Sequence, residues 1–312
     1  MLDDPIFIRM LARLCYGGLR ALGFAALARL LRDAGVILCY HNVVSAAEDA
    51  EIEHAGVHMP LPRFESQMQW LASHYDVVSL REVTDRLISG RSLQRLAAVT
   101  FDDGYAGVFE HALPVLRALG IPATVFVITS APAGSAVFWW DHPELQHADS
   151  SERRRRWLEA LRGDGPAILQ DLALDPGKLA PSPSRRCADW NVLALAARSG
   201  ITLGVHSATH RTLPQLSDAE LVGELVTSRD VLAENTGTTP EFFAHPYGLW
   251  DKRVRRAVQA AGYRGACTLD YGLVVAGADL WALPRVNIPS GIDAAAFEAW
   301  TAGVSLGKML RL

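Results

Sequence analysis

Ala97-Ala98-Val99-Thr100-Phe101-Asp102-Asp103-Gly104-Tyr105 is an apolar run that stops at two adjacent acids and a glycine. The run suits a buried strand, and Gly104 permits a tight turn directly after it. A helical pattern follows over residues 108–119, closes at Gly120, and gives way to another apolar run at 123–128. Strand, polar turn, helix, strand is the unit of a parallel sheet covered by helices. The unit recurs on both sides. Strand-like runs lie at 36–44, 77–80, 201–205, 242–244 and 265–269, and helical patterns at 62–75, 81–88, 190–198, 218–234 and 251–261. About seven strands in a 312-residue chain predict an α/β fold closed as a distorted (β/α)7 barrel rather than an open sheet. Two segments break the rhythm. Residues 1–35 predict an N-terminal helical segment ahead of a barrel spanning 36–312, and residues 132–183 predict an insertion from one barrel loop.

Half the residues are hydrophobic and the net charge is −4, so a sizeable core is expected and nucleic acid is not an expected partner. The basic run Arg153–Arg156 reads as a solvated helix face. Cys15, Cys39, Cys187 and Cys267 have neither zinc-ribbon nor disulfide spacing, which points to a reducing, cytoplasmic setting, with Cys39 and Cys267 as small core residues. Arg9, Arg13, Arg20 and Arg29 interrupt the apolar N-terminal stretch, so neither a transmembrane helix nor a signal peptide is expected. An amphipathic helix there either packs on the barrel, the commoner use, or makes peripheral contact with a membrane surface.

Chemistry-bearing residues gather at predicted strand ends. Neighbouring carboxylates repel unless a cation or a proton holds them, which makes Asp102 and Asp103 a candidate metal or acid–base pair; alone, Asp-Asp-Gly could equally cap a helix. His206 and His210 follow the strand at 201–205, and a spacing of four can place two imidazoles on one side of a helical turn, facing one metal. With an Asp they would form a site of two histidines and one carboxylate, with open positions for water and substrate. His245-Pro246-Tyr247-Gly248 ends another strand in a turn whose exposed N–H could stabilise an oxyanion. Tyr40-His41 ends the first barrel strand. Trp140, with Phe138 and Trp139, offers either a sugar-stacking face or a buried aromatic pair.

In their order, the segments 100–105, 206–210 and 246–248 resemble the motifs of the polysaccharide deacetylases, the carbohydrate esterases with a NodB homology domain. The likeness covers about residues 36–288, and Tyr40-His41 resembles the exopolysaccharide branch of that family. It implies a metal, usually zinc though cobalt or nickel can substitute, held by Asp103, His206 and His210. It implies Asp102 as the general base toward water and the Tyr247 N–H as an oxyanion donor. An N-acetylated sugar or polysaccharide would be the substrate and acetate a product. His41 is the expected general acid, with His245 second; His245, Pro246 and Trp140 are expected to contact substrate. Two departures stand out. Ala244 occupies the place of an arginine that pairs with the base, and Leu283-Pro284-Arg285 replaces a late Leu-x-His acid, no histidine following residue 245. These losses keep open the reading of a glycan-binding pseudoenzyme, and because related barrels hydrolyse non-sugar amides, an amidase for a non-sugar amide is a second alternative.

Overall fold

A computed structural model describes residues 5–50, 56–132, 138–142, 145, 151–175 and 182–306. Residues 1–4 and parts of the expected insertion (133–137, 143–144, 146–150 and 176–181) lie outside the described residues. In chain order the strands are β1 Ala34–Tyr40, β2 Asn42–Val44, β3 His58–Pro60, β4 Asp76–Val77, β5 Leu96–Phe101, β6 Ala123–Val127, β7 Thr202–Val205, β8 Phe242–Ala244, β9 Gly265–Cys267, β10 Val274–Val275 and β11 Val286–Asn287. β1, β5, β6, β7, β8 and β9 pair in that order, all parallel. The sheet curls until its edges approach. Leu283 bridges Cys267 of β9, and β11 pairs in parallel with Leu38 and Cys39 of β1.

This is the distorted α/β barrel expected from the sequence, but with a different seventh strand. The run at 77–80 contributes only the two-residue β4, which flanks the first residues of β5. The seventh position is filled by residues 283–287, where Pro284 and Arg285 interrupt the apolar pattern that would mark a strand. The run at 36–44 divides at His41 into β1 and β2, β2 pairing with β3 in a separate small sheet.

Side chains of β5 and β6 are wholly buried, as parallel strands covered on both faces require. The covering helices begin and end where side chains satisfy their free backbone groups. Ser79, Asp189 and Asp251 accept from backbone N–H groups in the first turns of Leu80–Ser89, Trp190–Arg198 and Lys252–Ala260, while Gly90 closes the first of these in left-handed conformation. Each such cap is worth about 0.5–2 kcal/mol.

Candidate active site

Both acids follow β5. Asp103 (φ 70°) and Gly104 (φ 76°) are left-handed, which turns the chain so that two successive carboxylates enter the barrel mouth. Asp102 and Asp103 are 1% and 2% exposed, yet they meet opposite surroundings. The Arg285 guanidinium donates to both oxygens of Asp102, Nη1 to Oδ1 at 2.7 Å and Nη2 to Oδ2 at 2.6 Å. Arg285 also donates to the Thr268 carbonyl and the Thr100 hydroxyl, so its fork is held rigid. Burial alone would push the Asp102 carboxyl up; the charge and hydrogen bonds of Arg285 outweigh burial and hold it well below the usual carboxylate range. The arginine missing at Ala244 therefore arrives from the position of the missing late histidine.

Asp103 has no such partner. Its Oδ1 is buried without a hydrogen bond, 3.5 Å from His206 Nε2 and 3.6 Å from His210 Nε2, and the two imidazole nitrogens are 3.2 Å apart. Burial and then Asp102 and Asp141 push this carboxyl well up, so only a proton or a cation could settle it. Tetrahedral zinc with bonds of about 2.0–2.2 Å has ligand–ligand edges of roughly 3.3–3.6 Å. The three donors match that spacing. His206 Nδ1 donates to the Ala244 carbonyl at 2.8 Å, which leaves its Nε2 lone pair facing the other two donors. Burial lowers the pKa of both imidazoles, so they stay neutral, as ligands must be. The residues present fit a divalent metal.

The helical reading of the histidine pair is corrected. Residues 206–210 form a loop, with Ser207 at φ 63° and His210 at φ 59°. Loop conformation replaces helical spacing because buried Glu224 accepts the N–H groups of Ala208 and Thr209 at 2.9 and 3.0 Å, while Ser207 Oγ accepts that of His210. His210 is clasped between Trp140 and Tyr247, with ring centroids at 4.7 and 4.4 Å. Tyr247 is itself left-handed at φ 57°. It is the second residue of a one-turn helix, Pro246–Gly248, so its N–H has no carbonyl one turn back to bond. A Cβ on Gly248 would lie 2.5 Å from that of Leu269, so this turn requires glycine.

A cavity of about 450 Å³ opens over these groups, lined by His41, Asp102, Asp103, His206, His210, Tyr247 and Trp140. Cys39, His41 and Asp102 each present a polar atom within 4.8 Å of the others. Burial lowers the His41 pKa to about 4, the attraction of Asp102 offsetting only part of that cost. Two expected substrate contacts, His245 and Pro246, do not line the cavity. His245 is 0% exposed and donates through Nε2 to the Trp281 carbonyl at 3.1 Å rather than facing the mouth.

The sequence reading missed one part of the wall. His58 Nε2 donates to Asp141 Oδ1 at 2.9 Å, and Asp141 Oδ2 accepts the Tyr105 hydroxyl, which accepts Trp140 Nε1–H. Asn42 donates to the other nitrogen of His58. This chain of hydrogen bonds fixes the Trp140 plane against His210. Its members lie on β2, β3, the turn after β5 and the insertion, and no spacing in the sequence joins them.

A family profile described as polysaccharide deacetylase matches residues 89–266. Poly-beta-1,6-N-acetyl-D-glucosamine N-deacetylase of Staphylococcus aureus (strain MRSA252) is 22% identical over 267 residues, covering 82% of this chain and 79% of the relative. Among solved structures, IcaB from Ammonifex degensii superposes with a TM-score of 0.61 at 20% identity, covering 87% of this chain and 98% of that one. Streptococcus pyogenes deacetylase PplD, solved with acetate, gives 0.60 at 19% identity, covering 84% and 96%. At such identities the superpositions speak for the fold. The profile covers more than half the chain: this protein belongs to the polysaccharide deacetylase family, whose members hydrolyse N-acetyl groups.

Proposed function

We propose that this protein is a zinc-dependent deacetylase that releases acetate from an N-acetylated sugar within a glycan. The reading is carried by the triangle of Asp103, His206 and His210 donors beside a second carboxylate whose charge Arg285 already balances. A divalent cation among the three donors would polarise the acetyl carbonyl and acidify a water molecule. Beyond its two bonds to Arg285 and one from the Cys39 thiol at 3.5 Å, the Asp102 carboxylate keeps a lone pair, and there it takes the proton of the attacking water. The Tyr247 N–H faces the oxygen on which charge develops, and Trp140 offers its ring to the sugar. As the carbon–nitrogen bond breaks, the amine needs a proton. Burial keeps the His41 imidazole neutral near pH 7, so Asp102, whose carboxylate lies within 4.8 Å of it, passes on the proton taken from the water and His41 delivers it to the amine. Water and amide thus become acetate and free amine. The relatives named for poly-beta-1,6-N-acetyl-D-glucosamine support a β-linked N-acetylglucosamine polymer as the first substrate to try.

The test measures zinc content and acetate release together on a panel of N-acetylated glycans and simple amides. One zinc per chain with acetate released from a glycan supports the proposal. Zinc without acetate from any member would mark a glycan-binding pseudoenzyme, and turnover of simple amides alone would mark an amidase.

A further inference from the structure

Residues 5–32 contain five arginines and no acid, in a chain whose net charge is −4. They form two helices, Pro5–Ala21 and Phe24–Leu31, bent by 63° at Gly23. A helix that merely covers a core turns its apolar stripe inward. Here much of the stripe faces out. Leu14, Leu22, Leu27, Leu30 and Leu31 are 49% exposed or more, and this segment holds eight of the fifteen exposed large hydrophobic side chains among the described residues. Contact with the barrel is made instead by Tyr16, Ala12, Leu19, Ala25 and Ala28.

Arg13, Arg20, Arg29 and Arg32 are tied to the body around this patch. Arg20 pairs with Glu298 at 3.1 Å, Arg13 lies 3.9 Å from Asp293, Arg29 sits over the Trp70 and Tyr75 rings, and Arg32 donates to the Ala302 carbonyl. Arg13 and Arg20 still expose 70% and 53% of their side chains. A leucine surface bordered by cations, with no acid in the segment, is complementary to an anionic lipid surface. A second copy fits less well, since joining two such faces would bring the largely exposed Arg13 and Arg20 of each copy together without an acid from either segment.

We infer that the helix pair is a peripheral membrane-docking surface for anionic lipid, with its leucines in the headgroup boundary and Arg13 and Arg20 among the phosphates. No single helix among the described residues is long and apolar enough to cross a membrane. The second helix lies at the end of the sheet opposite the catalytic groups. Its Leu30 carbonyl accepts from Gln94, ahead of β5, whereas Asp102 follows the far end of that six-residue strand. At about 3.3 Å per residue the strand spans roughly 20 Å. Docking by this helix therefore holds the cavity away from the lipid, where a glycan rather than a lipid headgroup would reach it.

The test is co-sedimentation of the full chain with vesicles of phosphatidylcholine alone or mixed with phosphatidylglycerol, alongside light scattering. Binding is expected to be at least about tenfold tighter on the anionic vesicles and to weaken with salt, as several arginines near the surface imply. Leu27→Glu/Leu30→Glu should release the protein while leaving its thermal unfolding and acetate release unchanged. Leu14→Glu, on the other helix, should weaken binding independently. No binding of the unaltered chain to anionic vesicles would overturn the inference. So would a dimer that Leu27→Glu/Leu30→Glu dissociates, or attachment that survives high salt and alkaline carbonate, the mark of an inserted segment.

Discussion

Asp102 and Asp103 are adjacent in sequence, equally buried and on the same turn, yet the protein balances the charge of one and leaves the other open. Around Asp102 the charge is balanced: a rigid guanidinium takes both oxygens and also donates to Thr268 and Thr100. Around Asp103 two neutral imidazoles converge and one oxygen has no donor at all. A carboxylate without a counter-charge in so dry a place is costly unless a cation comes from outside. Under the proposed function the contrast separates the two roles: Asp103 would hold the metal, and Asp102 stays charged without one.

The largest expected effect comes from breaking the open side. His206→Ala leaves two protein ligands, so the purified protein should retain no stoichiometric metal and release no measurable acetate, as elemental analysis and an acetate assay would check. Next in size is the closed side. Arg285→Gln strands a buried charge and should cost about 3–5 kcal/mol in denaturant unfolding. The pH dependence sharpens this. Because Asp102 titrates below its unfolded value, its pairing stabilises the fold at pH above about 4 and loses that contribution as the pH falls further. In Arg285→Gln this acid-labile contribution should be gone, so the variant's deficit should shrink toward low pH. A deficit that does not change with pH would mean that Arg285 acts by packing alone.

A smaller effect is expected at His41, which borders the closed side. His41→Ala should slow amide hydrolysis about 10²-fold, near the lower end for general acid–base groups. It should slow an activated ester far less, because that leaving group needs no proton. With its pKa near 4, His41 starts neutral, so its own titration should not reduce activity between pH 6 and 8. Equal losses on amide and ester would remove it from the proton path.

The parts of this site written in contiguous residues were legible in the sequence. Asp102-Asp103-Gly104, His206, His210 and Tyr247 each follow a strand, and the strand–helix alternation put them at one rim. What failed depended on side-chain direction. Arg285 read as the loss of a histidine, when it is the arginine whose absence at Ala244 seemed a second loss; nothing in one dimension shows a guanidinium crossing to a strand 183 residues away. His58 and Asp141, 83 residues apart, share no pattern. The histidine spacing suggested a helix, but Glu224 pins a loop. The N-terminal arginines announced amphipathicity without saying which face the barrel would take.

The division of labour between the two acids is tested most directly by metal content. Asp102→Asn and Asp103→Asn would be purified side by side, loaded with zinc, dialysed and analysed for metal per chain. Asp102→Asn should keep about one zinc while losing about 10²–10⁴-fold in acetate release, and Asp103→Asn should keep little or none. Zinc retained by Asp103→Asn and lost from Asp102→Asn would reverse the two roles and contradict the account.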